Sequence, residues 1–180
     1  MSYMMDKIIV VDNFLEKSDL EQTMHAIKSV SWSFGHKSNR TQSSETPFWS
    51  ASLNEDPLFT DHLLNVIQKT FHKKFKLNRV YANGQSFGQD GGYHIDDPDE
   101  DCYSFVLYVH DIFESDVELA GGHIYFKLPE LQYKICYEPI LNRGILFPSN
   151  YTHRACSFSR YIMELRTCVA WKLKEIKDDA

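Results

Sequence analysis

The feature that most constrains the fold of this chain is a succession of short β-rich runs, separated by turn signals, from Leu77 onward. Strands that follow one another after helices indicate an α+β layout, mainly β, with a closed or two-sheet core. A jelly-roll barrel of two four-stranded sheets suits the number of runs. The predicted strands are Arg79–Gln85, Tyr93–Asp96, Ser104–His110, Gly122–Lys127, Tyr133–Glu138, Gly144–Phe147, His153–Phe158 and Leu165–Leu173.

The N-terminal part of the chain carries the signals of one strand and two helices. Lys7–Val11 is short and β-branched, which is typical of a buried strand. Ser18 and Glu21 form a capping-box pattern that predicts a helix over roughly Ser18–Val30. Asp56-Pro57 predicts the start of a second helix, because Asp is a good N-cap and Pro is favoured in the first turn.

These patterns predict one domain over residues 1–180, with helical support in residues 1–76 and a β core in residues 77–175. No repeat, linker or low-complexity segment divides the chain. The polar stretch His36–Glu45 reads as an exposed loop, and it is equally consistent with a lid over a pocket and with a simple surface excursion.

Charge and cysteine usage narrow the class of protein. A net charge of −6 argues against a broad surface for nucleic acid. The cysteines form no C-x-x-C pair, so neither a zinc ribbon nor a thioredoxin-type motif is expected. The chain shows no signal peptide and no apolar run near the ~20 residues that span a bilayer. We therefore expect a cytoplasmic protein with reduced cysteines and no membrane partner.

A His-x-Asp pair after a glycine-rich loop is the first candidate for chemistry. In a strand, His94 and Asp96 point to the same face and aim an imidazole and a carboxylate at one place. His153, which follows a later apolar strand, is a candidate third ligand. Two His and one carboxylate form the facial triad of non-haem iron(II) oxygenases. The alternative is a hydrogen-bonded surface pair with an unrelated histidine at a strand start.

A second candidate lies near the C-terminus, where Arg166 begins an apolar, strand-like run. A buried arginine needs an anionic partner, and its planar fork pairs well with a carboxylate. A dicarboxylate that chelates a metal at one end would need such a cation at its other end. The alternative is a salt bridge to an acidic side chain, and Arg154 and Arg160 compete for the same role.

Several segments together resemble the iron- and 2-oxoglutarate-dependent oxygenases, and most of all their prolyl 4-hydroxylase-like branch. The matching segments run in family order over about a hundred residues. They are Tyr81-Ala82-Asn83-Gly84-Gln85, His94-Ile95-Asp96, Ser104–Val109, Gly121-Gly122-His123-Ile124-Tyr125-Phe126, Gly144-Ile145-Leu146-Phe147-Pro148-Ser149, His153 and Arg166–Trp171.

The resemblance implies a double-stranded β-helix, a jelly-roll or cupin-like core, with N-terminal flanking helices. It implies roles for seven residues, with ordinary core packing as the alternative for the two tyrosines. The iron ligands would be His94, Asp96 and His153. The 2-oxoglutarate site would be formed by Arg166 and Tyr108 at the distal carboxylate, with Tyr81 lining the pocket and Asn83 facing the co-substrate.

The activity that the resemblance implies is hydroxylation of a C–H bond by a dioxygenase that converts 2-oxoglutarate to succinate and CO2. Its cofactors would be Fe(II), 2-oxoglutarate and O2, with ascorbate as a further cofactor. The expected substrate is a prolyl or other protein residue, or a small molecule. Two alternatives stay open: a non-catalytic β-barrel binding module, and a cupin-type metal protein that does not use 2-oxoglutarate.

The chain departs from the family pattern at two places. Arg166 follows His153 by thirteen positions, which is longer than the family usual and leaves the assignment of Arg166 open against Arg160. The usual Gly-Gly-Glu is Gly121-Gly122-His123 here. His123 would add a ring near the pocket or lie at the surface, at a strand start.

Overall fold

The computed structural model describes residues 7–38, 46–112 and 114–177. The helical elements are α1 (Lys17–Ser29), a π-helical turn (Leu58–His62) that continues into α2 (Leu63–Phe71), a 3-10 turn (Glu114–Asp116) and α3 (Val117–Ala120). The strands are β1 (Ile9–Val11), β2 (Ser33–His36), β3 (Phe48–Ser52), β4 (Phe75–Gln85), β5 (Cys102–Tyr108), β6 (Ile124–Lys127), β7 (Ile135–Tyr137), β8 (Gly144–Pro148), β9 (Thr152–Ala155) and β10 (Arg166–Glu175).

The strands form two antiparallel sheets. The larger has seven strands in the order β1-β8-β5-β10-β4-β3-β2, and the smaller has three in the order β7-β6-β9. The mainly β fold with flanking helices is therefore confirmed, but the sheets are unequal. The larger sheet gains β1, β2 and β3 from the N-terminal part of the chain. The run predicted as the strand Tyr93–Asp96 joins the smaller sheet only through a bridge at His94.

The two predicted helices are present, with different starts. The first is observed as α1, but it begins after Glu16, and no side-chain hydrogen bond caps it. Asp56 caps the second helical segment as predicted, because its carboxylate accepts a hydrogen bond from the Leu58 amide at 2.9 Å.

The polar stretch His36–Glu45 gives a mixed result. Its first residue ends β2, which pairs with β3 to form a hairpin at the edge of the larger sheet. Both strands were missed, because they are short and carry little apolar alternation. Residues 39–45 lie outside the described part of the chain, so the lid stays a prediction. Among the described residues, no helix is long and apolar enough to cross a membrane.

The helices cover one face of the larger sheet and bury the principal core. Phe59, Leu63 and Ile67 pack against Phe105 and Trp171, and all five side chains are nearly inaccessible. The indole of Trp171 donates a hydrogen bond to the Phe59 carbonyl at 2.9 Å, which ties the π-helical turn to β10. This core anchors β5 and β10, the central strands of the larger sheet.

A second apolar cluster fills the space between the two sheets. Phe126 of the smaller sheet meets Phe147 of the larger one at 4.9 Å between ring centroids, in an edge-to-face arrangement. The small side chains of Cys168 and Ala170 belong to the same cluster. They leave the space beside them open, and the candidate site occupies that space.

Gly144 offers a test of the packing between β8 and β5. A Cβ at this position would lie 2.7 and 2.8 Å from two ring carbons of Phe105. Gly144→Ala should therefore lower the free energy of unfolding by about 1–3 kcal/mol, measured by urea denaturation. In a Phe105→Leu background the same change should cost clearly less, because the obstructing ring atoms are gone. Equal costs in the two backgrounds would contradict the contact.

His110 is buried at the end of β5 and donates a hydrogen bond to the Pro139 carbonyl. Burial lowers the pKa of His110 to about 4, against about 6.5 in an unfolded chain. The unfolded state therefore binds the proton first as the pH falls. His110 contributes stability that is complete above pH 6.5 and is lost as the pH falls toward 4, at up to about 1.4 kcal/mol per unit.

We expect His110→Gln to flatten that pH dependence, because an amide still donates to Pro139 but does not titrate. The measurement is the free energy of unfolding of metal-free protein at several pH values between 4 and 7. Other buried histidines contribute equally to both proteins, so the difference in slope isolates His110. Identical slopes would show that its imidazole is not held neutral in the folded state.

Candidate active site

The site is assembled by backbone pairing between two segments that are far apart in sequence. The amide of His94 donates to the carbonyl of His153 at 3.0 Å, and the amide of His153 donates to the carbonyl of His94 at 2.9 Å. The Gly91 amide donates to the Ala155 carbonyl at 2.9 Å, and the Asp96 amide to the Ser149 carbonyl at 2.8 Å. The His-x-Asp segment is thereby held along the edge of β9.

This pairing brings the three predicted ligands together. The Nε2 atom of His94 lies 3.5 Å from Oδ1 of Asp96, and Nε2 of His153 lies 3.4 Å from its Oδ2. One ligand atom from each residue lies within 4.8 Å of the others. Ligands at about 2.1 Å from one ion and at right angles to each other would be about 3 Å apart. The three side chains therefore suit a single divalent metal, with one face left open.

The hydrogen bonds of both imidazoles select the tautomer that a metal requires. Nδ1 of His94 lies 3.0 Å from the Gly92 carbonyl, and Nδ1 of His153 lies 2.8 Å from the Tyr151 carbonyl. A carbonyl only accepts, so each Nδ1 carries the proton and each Nε2 presents a lone pair. Burial lowers the pKa of His153 to about 4, so its ring is neutral at physiological pH.

Two further side chains bind one carboxylate oxygen of Asp96 and leave the other oxygen free. Oδ2 accepts hydrogen bonds from the Ser104 hydroxyl at 2.6 Å and from the ammonium of Lys172. Burial alone would raise the pKa of Asp96, but interactions with neighbouring side chains, chiefly the ammonium of Lys172, outweigh burial and hold the pKa well below its usual value. The carboxylate is therefore ionised, and Oδ1 stays available to a metal.

A cavity of about 370 Å³ extends from this triad into the space between the sheets. Its wall is formed by β4 and β10, which pair in antiparallel register. Every second residue of each strand faces the cavity, as strand geometry requires. From the closed end toward the metal ligands, the facing pairs are Gln85 with Arg166, Asn83 with Cys168, Tyr81 with Ala170 and Arg79 with Lys172.

Arg166 lies at the closed end and is 1% exposed. Its guanidinium donates to the Gly122 carbonyl at 2.6 Å, to the Gln85 side-chain oxygen at 3.0 Å and to the Tyr108 hydroxyl at 3.1 Å. Gly122 has φ of 73° and would clash with Phe158 if it carried a Cβ, so glycine brings this carbonyl to the arginine. Within residues 7–38, 46–112 and 114–177, no carboxylate pairs with Arg166.

The other predicted co-substrate residues lie along the same cavity. Burial raises the pKa of Tyr108 to about 12, so its hydroxyl stays protonated. That hydroxyl accepts a hydrogen bond from Arg166 and keeps its own proton to donate. Tyr81 and Asn83 line the wall between Arg166 and the triad. The side-chain oxygen of Asn83 is buried, and no residue that the structure describes donates a hydrogen bond to it.

The other arginines considered for binding the co-substrate, Arg154 and Arg160, do not line the cavity. Arg160 is exposed and lies over the ring of Phe87 at 5.7 Å, and Arg154 lies over the ring of Tyr93 at 5.1 Å, on the opposite face of β9 from His153. His123 is half-buried, 5.9 Å from the Tyr125 ring, and does not line the cavity. Of the three arginines that compete for this role, Arg166 is therefore the one that reaches the cavity.

Lys172 is one of the residues that sequence reasoning missed at this site. It is 9% exposed and is the cation closest to Asp96. A signal was present, because Lys172 is six positions after Arg166 and so faces the same side of a strand. Its partner Asp96, however, comes from a distant segment that only the folded chain brings near.

Comparisons with protein-family models and with curated protein sequences give no match. Solved structures do match. A prolyl hydroxylase from Trichoplax adhaerens, in complex with a hypoxia inducible factor oxygen degradation domain peptide fragment, is 16% identical. Its TM-score is 0.68 over 93% of this chain and 84% of that chain. An oxidoreductase of the 2OG-Fe(II) oxygenase family from Burkholderia pseudomallei is 11% identical, with a TM-score of 0.71 over 94% and 85%.

A third match is the non-heme alpha ketoglutarate dependent epimerase SnoN from nogalamycin biosynthesis. It is 10% identical, with a TM-score of 0.68 over 93% of this chain and 76% of that chain. The chain therefore has the double-stranded β-helix fold that 2-oxoglutarate and iron(II) oxygenases share, including prolyl hydroxylases. The resemblance drawn from the sequence is confirmed at the level of fold.

The metal site can be tested without a substrate. Asp96→Ala and His153→Ala should each weaken Mn(II) binding about a hundredfold or more, because each removes a ligand. The readout is the electron paramagnetic resonance signal of free Mn(II) during titration. His123→Ala is the matched control, since its ring lies outside the cavity. Unchanged affinity in either ligand variant would remove that residue from the site.

Proposed function

We propose that this protein is a 2-oxoglutarate- and iron(II)-dependent dioxygenase that hydroxylates a C–H bond. One observation carries the proposal. A single cavity has a His-Asp-His cluster at one end and a buried arginine, for which no described carboxylate is a partner, at the other. A buried cation without a counter-ion is costly. A dicarboxylate that lies between the two ends would satisfy both.

In this proposal His94, Asp96 and His153 hold iron(II) through two Nε2 atoms and Oδ1. The carbonyls of Gly92 and Tyr151 orient the imidazoles, and Ser104 and Lys172 orient the carboxylate. Iron with 2-oxoglutarate supplies the activation of O2 and the oxidation of the C–H bond, and succinate and CO2 are the co-products.

Arg166 and Tyr108 would bind the distal carboxylate of 2-oxoglutarate. The guanidinium offers a planar pair of donors and the tyrosine hydroxyl a third, and all of them are already buried and held by neighbours. Binding therefore needs little reorganisation. Asn83 would contact the middle of the molecule through its side-chain NH2 group, because 2-oxoglutarate offers only acceptors.

The apolar side chains of the cavity exclude water from the reacting end. Val106 and Ala170 line one wall and Ile124 the other. Because Ala170 and Cys168 are small, the cavity has room for the co-substrate where larger residues would fill it.

The substrate and exact reaction belong to the proposal alone. The prolyl hydroxylase of the same fold is bound to a peptide, which supports a prolyl or other protein residue as the acceptor. The epimerase shows that this fold also serves other chemistry, so a small molecule is the second candidate. We further propose that residues 1–180 act as one catalytic domain, and that ascorbate supports turnover.

Arg166→Ala should raise the concentration of 2-oxoglutarate needed for half-maximal conversion to succinate by about a hundredfold, while Mn(II) affinity survives. The physical reason is loss of a buried, charge-assisted pair, worth several kcal/mol. Succinate is measured with Fe(II), O2 and ascorbate in the absence of added substrate.

The matched control is Arg160→Ala, which removes an exposed arginine and should leave the requirement unchanged. The reverse result would show that Arg160 binds the co-substrate. If no Fe(II)-dependent succinate forms with the unmodified chain and 2-oxoglutarate does not stabilise its Mn(II) form, the cupin-type or non-catalytic alternative is favoured.

A further inference from the structure

The lining of the cavity is strongly positive in a protein that is negative overall. The chain has 25 acidic and 19 basic residues. Among the residues that the structure describes, the cavity nevertheless presents one carboxylate, Asp96, against the cations Lys37, Arg79, Arg166 and Lys172. Charges that line a concave, low-dielectric surface attract ligands of opposite sign.

Two of these cations lie together at the end of the cavity near the metal ligands. Lys172 and Arg79 are directly opposite each other on β10 and β4. The Arg79 guanidinium lies 5.0 Å from the Tyr81 ring centroid, and the Lys172 ammonium lies 5.9 Å from it. Like charges opposite each other on paired strands destabilise a sheet. Among the side chains that the structure describes, no carboxylate forms an ion pair with Arg79.

The co-substrate does not account for Arg79. Lys172 already pairs with Asp96, and Arg79 lies opposite Lys172, six residues along β10 from Arg166. In the proposed function, one carboxylate of 2-oxoglutarate is bound by Arg166 and the other lies at the metal ligands. No carboxylate of the co-substrate is then left for Arg79.

The count of charges around the cavity also leaves a positive excess that the co-substrate does not neutralise. Asp96 and the two carboxylates of 2-oxoglutarate bring three negative charges, whereas a divalent ion, Arg166 and Lys172 bring four positive charges. Arg79 and Lys37 enlarge the excess at the mouth. A concave site with such an excess of positive charge attracts an anion.

We infer that Arg79 and Lys172 form an anion subsite at the cavity mouth and that the substrate carries a carboxylate or phosphate group that binds there. This inference rests on the proposed function and names the class of substrate for the same site. Arg79 is the principal contact, because it is exposed and has no described ion pair. Lys172 contributes its charge while it holds Asp96.

The test uses small probes that differ in charge and share a methyl group: acetate, methylphosphonate and acetamide. Each is titrated into the full chain loaded with Mn(II) and N-oxalylglycine, an unreactive analogue of 2-oxoglutarate. Broadening of the probe methyl proton signal by Mn(II) reports binding close to the metal. A rise in melting temperature on loading shows first that the complex has formed.

We expect both anions, and not acetamide, to bind to the unmodified chain. Arg79→Gln should weaken anion binding about tenfold, Arg79→Lys should restore most of it, and the surface control Arg160→Gln should have no effect. None of these changes should alter the affinity for N-oxalylglycine. The anion that binds more tightly identifies the group, carboxylate or phosphate.

Three outcomes would overturn the inference. Equal anion binding by Arg79→Gln and the unmodified chain would mean that the anion contacts the metal alone. Equal binding of acetamide would mean that charge is not recognised. A loss of N-oxalylglycine affinity in Arg79→Gln would assign Arg79 to the co-substrate. If Mn(II) and N-oxalylglycine do not bind at all, the proposed function fails and this inference fails with it.

Discussion

The reciprocal pair of backbone hydrogen bonds between His94 and His153 is the interaction on which the site depends. These two bonds join segments that are 59 positions apart and place both imidazoles at one end of the cavity. The same pairing positions Asp96, because Asp96 is two residues from His94 and its amide donates to the Ser149 carbonyl. Since backbone groups make this junction, the positions of the ligands are determined before any metal is bound.

The pairing of β4 with β10 gives the cavity its electrostatic order. Alternation along two strands in register places a buried arginine at the closed end, small or neutral side chains in the middle, and Lys172 with Arg79 beside the metal ligands. The order of these charges matters because electrostatic interactions are stronger in the low-dielectric interior than in water. A slip by one residue would turn every one of these side chains away from the cavity.

Much of the fold was accessible from local patterns, and the rest was not. The strands β5, β8 and β10 carry continuous apolar runs because both faces of the larger sheet are buried, and such runs are readable in a sequence. The hairpin β2–β3 was missed because Ser33–His36 lies at the sheet edge, where burial does not impose a pattern. Local capping was also imperfect: the Ser18–Glu21 pattern is present, yet α1 begins before it.

The sequence by itself determined the His-x-Asp spacing, the later histidine, and the arginine at the start of an apolar run, since alternation in a strand decides which residues share a face. Only the tertiary structure decided which of Arg154, Arg160 and Arg166 reaches the cavity, and that Lys172 meets Asp96. These contacts join segments far apart in the chain. The physical reason is that sheet register and the packing of two sheets, rather than any local preference, determine which distant side chains meet.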